Sequence, residues 1–262
     1  MAEASPSVPE AKKGHGVVPD LPLLFRIGKR LRHRVSAVIG RSSRVGNAPV
    51  LDNAHFPWIA EVEAGWPKIR AELERVLARD DAIPPLANIS PDHRRIAPPG
   101  KWKSFFLWGY GYRQEDNVRR CPETTALAER VPGLSSAFFS ILAPGAHIPR
   151  HRGVTKAILT AHLGLVVPKD RAACRMQVAD RMLNWEEGKI LVFDDTHHHE
   201  VWNDTDEQRV ILLIHFRRPT GPIGRLVGSI FLGAIRHSRF VQDARSSLGD
   251  WEKAMQKLER EP

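Results

Sequence analysis

A series of short apolar segments, each closed by a turn, constrains the fold of this chain more than any other feature. The segments are rich in β-branched and aromatic residues, and turn residues such as Pro144-Gly145 and Glu187-Gly188 separate them. Strands this short and closely spaced are typical of a β-sandwich or barrel, and not of alternating strands and helices. The predicted strands are 104–112, 137–142, 157–167, 174–178, 189–193 and 209–216.

The chain divides into three predicted parts. Residues 1–50 combine a Pro- and Ala-rich start, of which 1–20 are expected to be disordered, with a basic amphipathic segment. Residues 51–218 form one mainly β domain, in which a single helix over 55–79 braces the strands and a Pro-rich passage over 82–102 lacks regular structure. Residues 219–262 form a helical extension.

Both terminal parts carry basic residues on apolar helical patterns, and the net charge of the chain is +9. Charge of this size favours anionic partners. Such helices suit an anionic membrane surface, or they pack on the core with their arginines in water. No nucleic-acid-binding signature accompanies the charge, so no nucleic acid partner is expected. The apolar positions are Leu24, Ile27, Leu31, Val35, Val38 and Ile39 in the first segment, and Ile223, Leu226, Val227, Ile230, Phe231, Ala234 and Ile235 in the second.

Location and redox state follow from what the sequence contains. No segment approaches the ~20 apolar residues that span a bilayer, and the first residues lack the apolar core of a signal peptide. We therefore expect a cytoplasmic protein, either free or held peripherally on the inner face of the membrane. Cys121 and Cys174 are expected to be inert reduced thiols, so any metal must be bound by histidine and carboxylate ligands.

Two histidines flank the strand-rich segment, His151 in PRHRG and His199 in FDDTHHHEVWND. A mononuclear Fe(II) oxygenase uses two imidazoles with a carboxylate and open coordination positions. The carboxylate usually follows the first histidine by two residues, where this chain has Gly153; water, Asp194 or Asp195 are the alternatives. On spacing alone, a pair of histidines is more often structural than metal-binding, and His197 and His198 are expected to be solvated neighbours.

Several longer sequence runs decide between an iron site and a structural histidine pair. They are KWKSFFLWGYG, CPETTALAERVPGLSSAFFSILAPGAHIPRHRG, AHLGLVVP, WEEGKILVFDDTHHHEVWNDTDEQRVILL and FRRP. In order and spacing, the chain from about Trp102 to Pro219 resembles the aspartyl/asparaginyl β-hydroxylases, a family of Fe(II)- and 2-oxoglutarate-dependent dioxygenases with a bacterial branch of lipid-acyl 2-hydroxylases. The resemblance implies a double-stranded β-helix, or jelly roll, with flanking helices. It also implies a site without the carboxylate ligand, which Gly153 fits.

The resemblance assigns a role to each matching residue. His151 and His199 would bind the iron, and Arg209 would pair with the distal carboxylate of 2-oxoglutarate. Ser140 and His162 match further co-substrate contacts of the family, and Glu200 and Trp202 are expected to orient the metal ligand. The implied reaction consumes O2 and 2-oxoglutarate, releases succinate and carbon dioxide, and hydroxylates an unactivated C–H bond.

Three functions remain open at this point. The first is 2-hydroxylation of a fatty-acyl chain in a membrane lipid of the lipid A or aminolipid type, which the basic terminal segments favour. The second is β-hydroxylation of peptidyl or free Asp or Asn. The third is a non-catalytic metal-binding jelly roll, against which Ser140, His162 and Arg209 argue together. Relatives commonly carry arginine where this chain has Thr160, so the substrate and the carbon that is hydroxylated stay open.

Overall fold

The computed structural model describes residues 23–79, 83–90 and 95–260. The predicted disorder of residues 1–20 therefore lies outside the described residues. The described helices are α1 (Leu23–Arg41), α2 (Trp58–Ala64), α3 (Trp66–Leu77), α4 (Leu86–Ile89), α5 (Glu115–Arg120), α6 (Pro122–Glu129), α7 (Pro222–Arg236) and α8 (Arg239–Arg260). The strands are β1 (Val50–Leu51), β2 (Trp102–Gly109), β3 (Tyr112–Arg113), β4 (Leu134–Leu142), β5 (Ala146–His151), β6 (Ile158–Val166), β7 (Cys174–Val178), β8 (Arg181–Leu183), β9 (Ile190–Phe193), β10 (His199–Asn203) and β11 (Arg209–Arg217).

The strands form two antiparallel sheets. The larger has the order β1-β9-β6-β11-β4-β2-β3, and the smaller has the order β5-β10-β7-β8. From β4 onward the chain alternates between the sheets, with β7 and β8 as a hairpin within the smaller one. This alternation is that of a double-stranded β-helix, which confirms the predicted jelly roll.

Successive side chains of a strand point to opposite faces of a sheet, and in the larger sheet both faces are covered by apolar residues. On β11, Val210, Leu212 and Ile214 pack outward with residues of α2, α3 and α6. Ile211 and Leu213 point between the sheets. We call the space between the sheets the interior of the sandwich.

The chain crosses between the sheets at 152–157 and at 194–198, and both crossings lie at one end of the sandwich, named here the histidine end. α1 and α7 join the domain at this end. Arg44 N donates to Pro219 O at 2.9 Å, and Ser43 forms a bridge with Thr220. Both predicted amphipathic segments are therefore helices, and they lie side by side. Neither they nor any other helix in the described ranges has the length and apolar character needed to cross a bilayer.

The helix predicted over 55–79 is two helices. The break falls at Gly65, where any Cβ would overlap the side chain of Leu127, and Pro67 follows in the first turn of α3. Proline fits there because the first helical N–H groups have no partner within the helix. A short helix, α4, also forms inside the Pro-rich passage.

Candidate active site

His151 and His199 lie directly opposite each other in the smaller sheet. His199 begins β10 and pairs with His151 at the end of β5, and their rings are 4.1 Å apart between centroids. A bulge creates this match, because Val201 pairs with Ile148 and β5 then uses one residue more than β10 to reach the next pair. Bulges of this kind re-aim side chains next to active sites.

Both rings are oriented by backbone carbonyls. His151 Nδ1 donates to Pro149 O at 2.8 Å, and His199 Nδ1 donates to His197 O at 3.0 Å. Because Nδ1 carries the proton, Nε2 keeps its lone pair for a metal. Burial lowers the pKa of His151, and burial with the neighbouring His151 lowers the pKa of His199 to about 4. At neutral pH the pair is therefore two neutral imidazoles, the form that binds Fe(II).

A series of ring contacts leads from this pair along the interior. His199 meets Phe193 at 5.6 Å between centroids, Phe193 meets His162 at 4.9 Å, and His162 stacks with Trp185 at 6.2 Å. Trp185 Nε1 also donates to His162 Nδ1 at 3.3 Å. Arg209 then lies over the Trp185 ring at 4.7 Å. One continuous wall thus joins the histidine pair to Arg209.

Arg209 is a buried cation that forms no ion pair with any acidic side chain in the described ranges. Its side chain is 2% exposed, and among the described residues Nε and Nη1 have no hydrogen-bond partner. Burial lowers the pKa of Arg209 to about 10, so the guanidinium stays charged at neutral pH. A buried charge of this kind is costly unless an anion pairs with it. The site therefore fits a carboxylate bound inside the sandwich, as 2-oxoglutarate would be.

Hydroxyl groups complete this polar interior. Ser140 pairs with Ile211 on β11 and with Ser104 on β2, which places Ser140 on the same face as Arg209. Trp102 Nε1 donates to Ser140 Oγ at 2.9 Å, while Ser104 Oγ has no partner in the described ranges. All five residues that the sequence analysis proposed, His151, His199, Arg209, Ser140 and His162, thus border one interior.

No carboxylate joins the histidine pair. Within the described residues, no group of three His, Cys, Asp or Glu side chains is placed to hold a metal. Asp194 is instead engaged by Lys156 at 2.6 Å and Arg218 at 2.5 Å. Asp195 occupies the space that a side chain at Gly153 would need, and Gly153 N donates to Asp195 O at 2.7 Å. Burial, with the nearby charge of Asp194, raises the pKa of Asp195 to about 7.

Three expectations about neighbouring residues need correction. Glu200 and Trp202 point to the outer face of β10, opposite His199. Glu200 Oε1 there accepts from His147 Nε2 at 2.7 Å, and Trp202 stacks on His147. The orienting role falls to backbone carbonyls, which no sequence pattern reveals. His198 is exposed as expected, but His197 is only partly exposed and its Nε2 lies 4.0 Å from Asp194 Oδ2.

Sequence reasoning missed several residues of the site. Trp185 and Trp102 hold His162 and Ser140 in place, and their indole N–H groups could have been suspected only from their positions beside predicted strands. His215 faces Thr160 across β11 and β6, on the interior side, and burial lowers the pKa of His215 to about 4. At this point of the interior, a hydroxyl thus lies opposite a neutral imidazole.

Comparison with known proteins identifies the family. Residues 63–219 match the model of the aspartyl/asparaginyl β-hydroxylases. This chain belongs to that family. An ornithine lipid ester-linked acyl 2-hydroxylase of Rhizobium tropici is 41% identical over 211 residues, which cover 80% of this chain and 75% of that protein. The family is one of hydroxylases, and this chain is a hydroxylating enzyme.

One further relative and one solved structure are less similar to this chain. The human aspartyl/asparaginyl β-hydroxylase is 34% identical over 174 residues, 62% of this chain but only 23% of that protein. Among solved structures, a prolyl-4-hydroxylase of Pseudomonas putida is 19% identical with a TM-score of 0.35, covering 59% of this chain and 88% of that one. A similarity that low supports no conclusion about function.

Proposed function

We propose that this protein is an Fe(II)- and 2-oxoglutarate-dependent hydroxylase that acts at the 2-position of a fatty-acyl chain of a membrane lipid. The observation that carries the proposed chemistry is the buried guanidinium of Arg209. It has no anionic partner among the described residues, and it lies on the same wall as the histidine pair. The 41% identity to an ornithine lipid acyl 2-hydroxylase favours the lipid substrate.

Each residue has one task in this proposal. His151 and His199 would hold the iron through Nε2, and Arg209 would pair with the distal carboxylate of 2-oxoglutarate. Ser140 and His162 would contact the same molecule, and the indole N–H groups of Trp102 and Trp185 fix both of them. With both groups bound, the site would couple oxidative decarboxylation of 2-oxoglutarate to hydroxylation of a C–H bond by O2.

The protein supplies position and a dry environment. Phe193, Ile211 and Leu213 line the interior beside the polar residues, so water is excluded from most of it. Because only two of the described side chains would hold the metal, more of its coordination sphere would be left to 2-oxoglutarate, O2 and water than in a site with a carboxylate ligand. The backbone bonds to both Nδ1 atoms fix the rings before any metal binds, which reduces the cost of assembling the site.

A second candidate is β-hydroxylation of an Asp or Asn side chain, which the match to the human relative favours. That match covers less than a quarter of the human protein, and the rest of the human protein lies outside it. The neutral pair of Thr160 and His215 offers no cation for an acidic substrate side chain, which favours the lipid.

The test is an anaerobic titration of the metal-free protein with Fe(II) and 2-oxoglutarate, followed by assays of turnover. We expect the weak visible charge-transfer band of the chelated keto-acid, and we expect it to be lost in His151→Ala and His199→Ala. Succinate release should then depend on an ornithine lipid, whose acyl chain gains one oxygen atom by mass spectrometry. Absence of the band in metal-replete protein would favour a non-catalytic metal-binding module, and turnover with Asp- or Asn-containing peptides alone would favour the second candidate.

A further inference from the structure

Large apolar side chains are exposed mainly near the histidine end. On α7, Ile223, Leu226 and Ile230 are 70%, 63% and 66% exposed, and their spacing places them on one face of the helix. Leu31 on α1 and Val154 in the 152–157 crossing are also exposed. Met182, on β8, is the only other large apolar side chain that is exposed among the described residues. A cluster of such side chains on one side of a domain marks an interaction surface.

The two helices form a continuous surface. Gly224 N of α7 donates to Ser42 Oγ, just after α1, and Gly228 faces Ile39 on α1, so the helices run antiparallel. α7 then crosses the histidine end to β3, where Arg236 lies over the ring of Tyr112 at 4.3 Å. Gly224 and Gly228 are buried against the domain, so Leu226 and Ile230 point away from it. We name the outward side of α1 and α7 the α1–α7 face.

The charged residues of the two segments that form this face are all positive. The sequence has no Asp or Glu between Asp20 and Asp52 or between Glu207 and Asp243. Arg41, Arg44 and Arg225 are exposed, and none of them makes an ion pair with another described residue. Elsewhere on the surface several arginines have acidic partners, as in the pairs Arg70–Glu74, Arg113–Glu129 and Arg175–Asp204.

A cavity of about 430 Å³ lies beneath α7 and adjoins this face. Phe56, Trp58 and Phe216 supply apolar walls, while Arg44 and Arg225 also line it. The histidine pair and Arg209 take no part in its lining. An apolar space with cations beside it suits an amphiphile with an anionic head, which is the chemistry of an acidic phospholipid.

We propose that the α1–α7 face docks the protein on an anionic lipid bilayer, with Ile223, Leu226 and Ile230 in the apolar boundary and the arginines at the headgroups. Apolar side chains between unpaired arginines are what a surface-bound helix presents to such a bilayer. A second copy of the chain is disfavoured on this face, because the arginines of the two copies would repel each other. The docking itself does not depend on the proposed function. Only its role rests on that function, because docking would bring the histidine end to the lipid substrate.

The experiment is flotation of the full chain, without metal or co-substrate, with vesicles of phosphatidylcholine alone or mixed with phosphatidylglycerol. We expect binding only to the anionic vesicles, and release by added salt. The double substitutions Leu226→Asp with Ile230→Asp, and Arg41→Glu with Arg225→Glu, should each weaken it by at least about tenfold. Lys101→Glu with Lys169→Glu changes charge equally at the opposite end of the sandwich and should leave binding intact.

Three outcomes would overturn the proposal. The first is absence of binding to anionic vesicles at low salt, and the second is an equal loss of binding in the lysine control. The third is a concentration-dependent dimer that the Leu226 and Ile230 substitutions dissociate while the protein binds no vesicles. Circular dichroism of each variant confirms that it is folded. Because flotation needs no turnover, its failure is separate from failure of the proposed hydroxylase reaction.

Discussion

At the scale of single residues, Arg209 should be unnecessary for folding. We predict that Arg209→Met leaves the free energy of unfolding of the metal-free protein within about 1 kcal/mol of wild type. The reason is that a similar-sized apolar side chain replaces a buried charge for which the described part of the chain supplies no anionic partner. 2-Oxoglutarate with a redox-inert divalent metal should raise the melting temperature of wild type but not of Arg209→Met. Denaturant unfolding and thermal melts measure both effects. A destabilisation above about 3 kcal/mol would show that Arg209 is structural.

A substitution at Gly153 tests whether the close packing of this residue against Asp195 matters for stability and metal binding. Gly153→Ala should destabilise the protein by more than about 1 kcal/mol and weaken metal binding, because the new Cβ overlaps the carboxylate of Asp195 and displaces the segment after His151. The matched control is Gly233→Ala in α7, where a Cβ meets no atom within 4 Å and helix propensity improves. Equal stability of the two variants would mean that the close packing at Gly153 is unimportant.

The residues of the site were open to sequence reasoning only through family resemblance. His151, Ser140 and His162 have no distinctive spacing of their own, but the resemblance named them, and the structure brings them to one interior with His199 and Arg209. Their roles stay predictions. Trp185 could not be found in this way, because its indole reaches His162 across 23 residues of chain, a contact set by the fold alone.

At the scale of elements, one buried ion pair joins the segments that surround the histidine pair. Arg218 donates to Asp194 at 2.5 Å, to Lys156 O at 2.8 Å and to Gly46 O at 2.9 Å, so it holds both crossings and the turn after α1. Breaking a buried pair leaves an uncompensated charge. Arg218→Met, the matched contrast to Arg209→Met, should therefore lower the free energy of unfolding by about 3 kcal/mol or more.

The pH dependence of this pair has a definite sign. Burial opposes the charged carboxylate, but the charge of Arg218 and the hydrogen bond from Lys156 hold the pKa of Asp194 below its ordinary 3.8. A lowered pKa in the folded state stabilises the protein above the unfolded value, and this contribution is lost as pH falls through the folded value. Urea unfolding of wild type and Asp194→Asn should thus differ most at neutral pH and converge in acid. A constant difference down to pH 2 would contradict the assignment.

The elements themselves were predictable where burial was strong. All six predicted strands form, within a few residues, because runs such as Arg209–Arg217 and Ile158–Val166 are buried on both faces. The two strands that carry the histidines, β5 and β10, were missed. Ala146–His151 contains a proline and its outer positions are polar, and its pairing with β10 depends on a bulge that only the partner strand defines.

At the scale of the whole molecule, the position of α1 and α7 at the histidine end would link the proposed membrane contact to turnover. If the α1–α7 face holds the enzyme on its substrate, added salt should lower hydroxylation of lipid in anionic vesicles, because the Debye length falls from about 10 Å at 0.1 M to about 3 Å at 1 M. Binding of 2-oxoglutarate should respond far less to salt, since Arg209 is 2% exposed and shielded from solvent ions.

The measurement is the initial rate of succinate release against salt concentration, with the same lipid in neutral detergent micelles as the control. A steep fall in vesicles and a shallow one in micelles is expected, because micelles offer no anionic surface. Equal slopes would assign the salt effect to the active site itself, and then the arginines of the α1–α7 face would have no part in turnover.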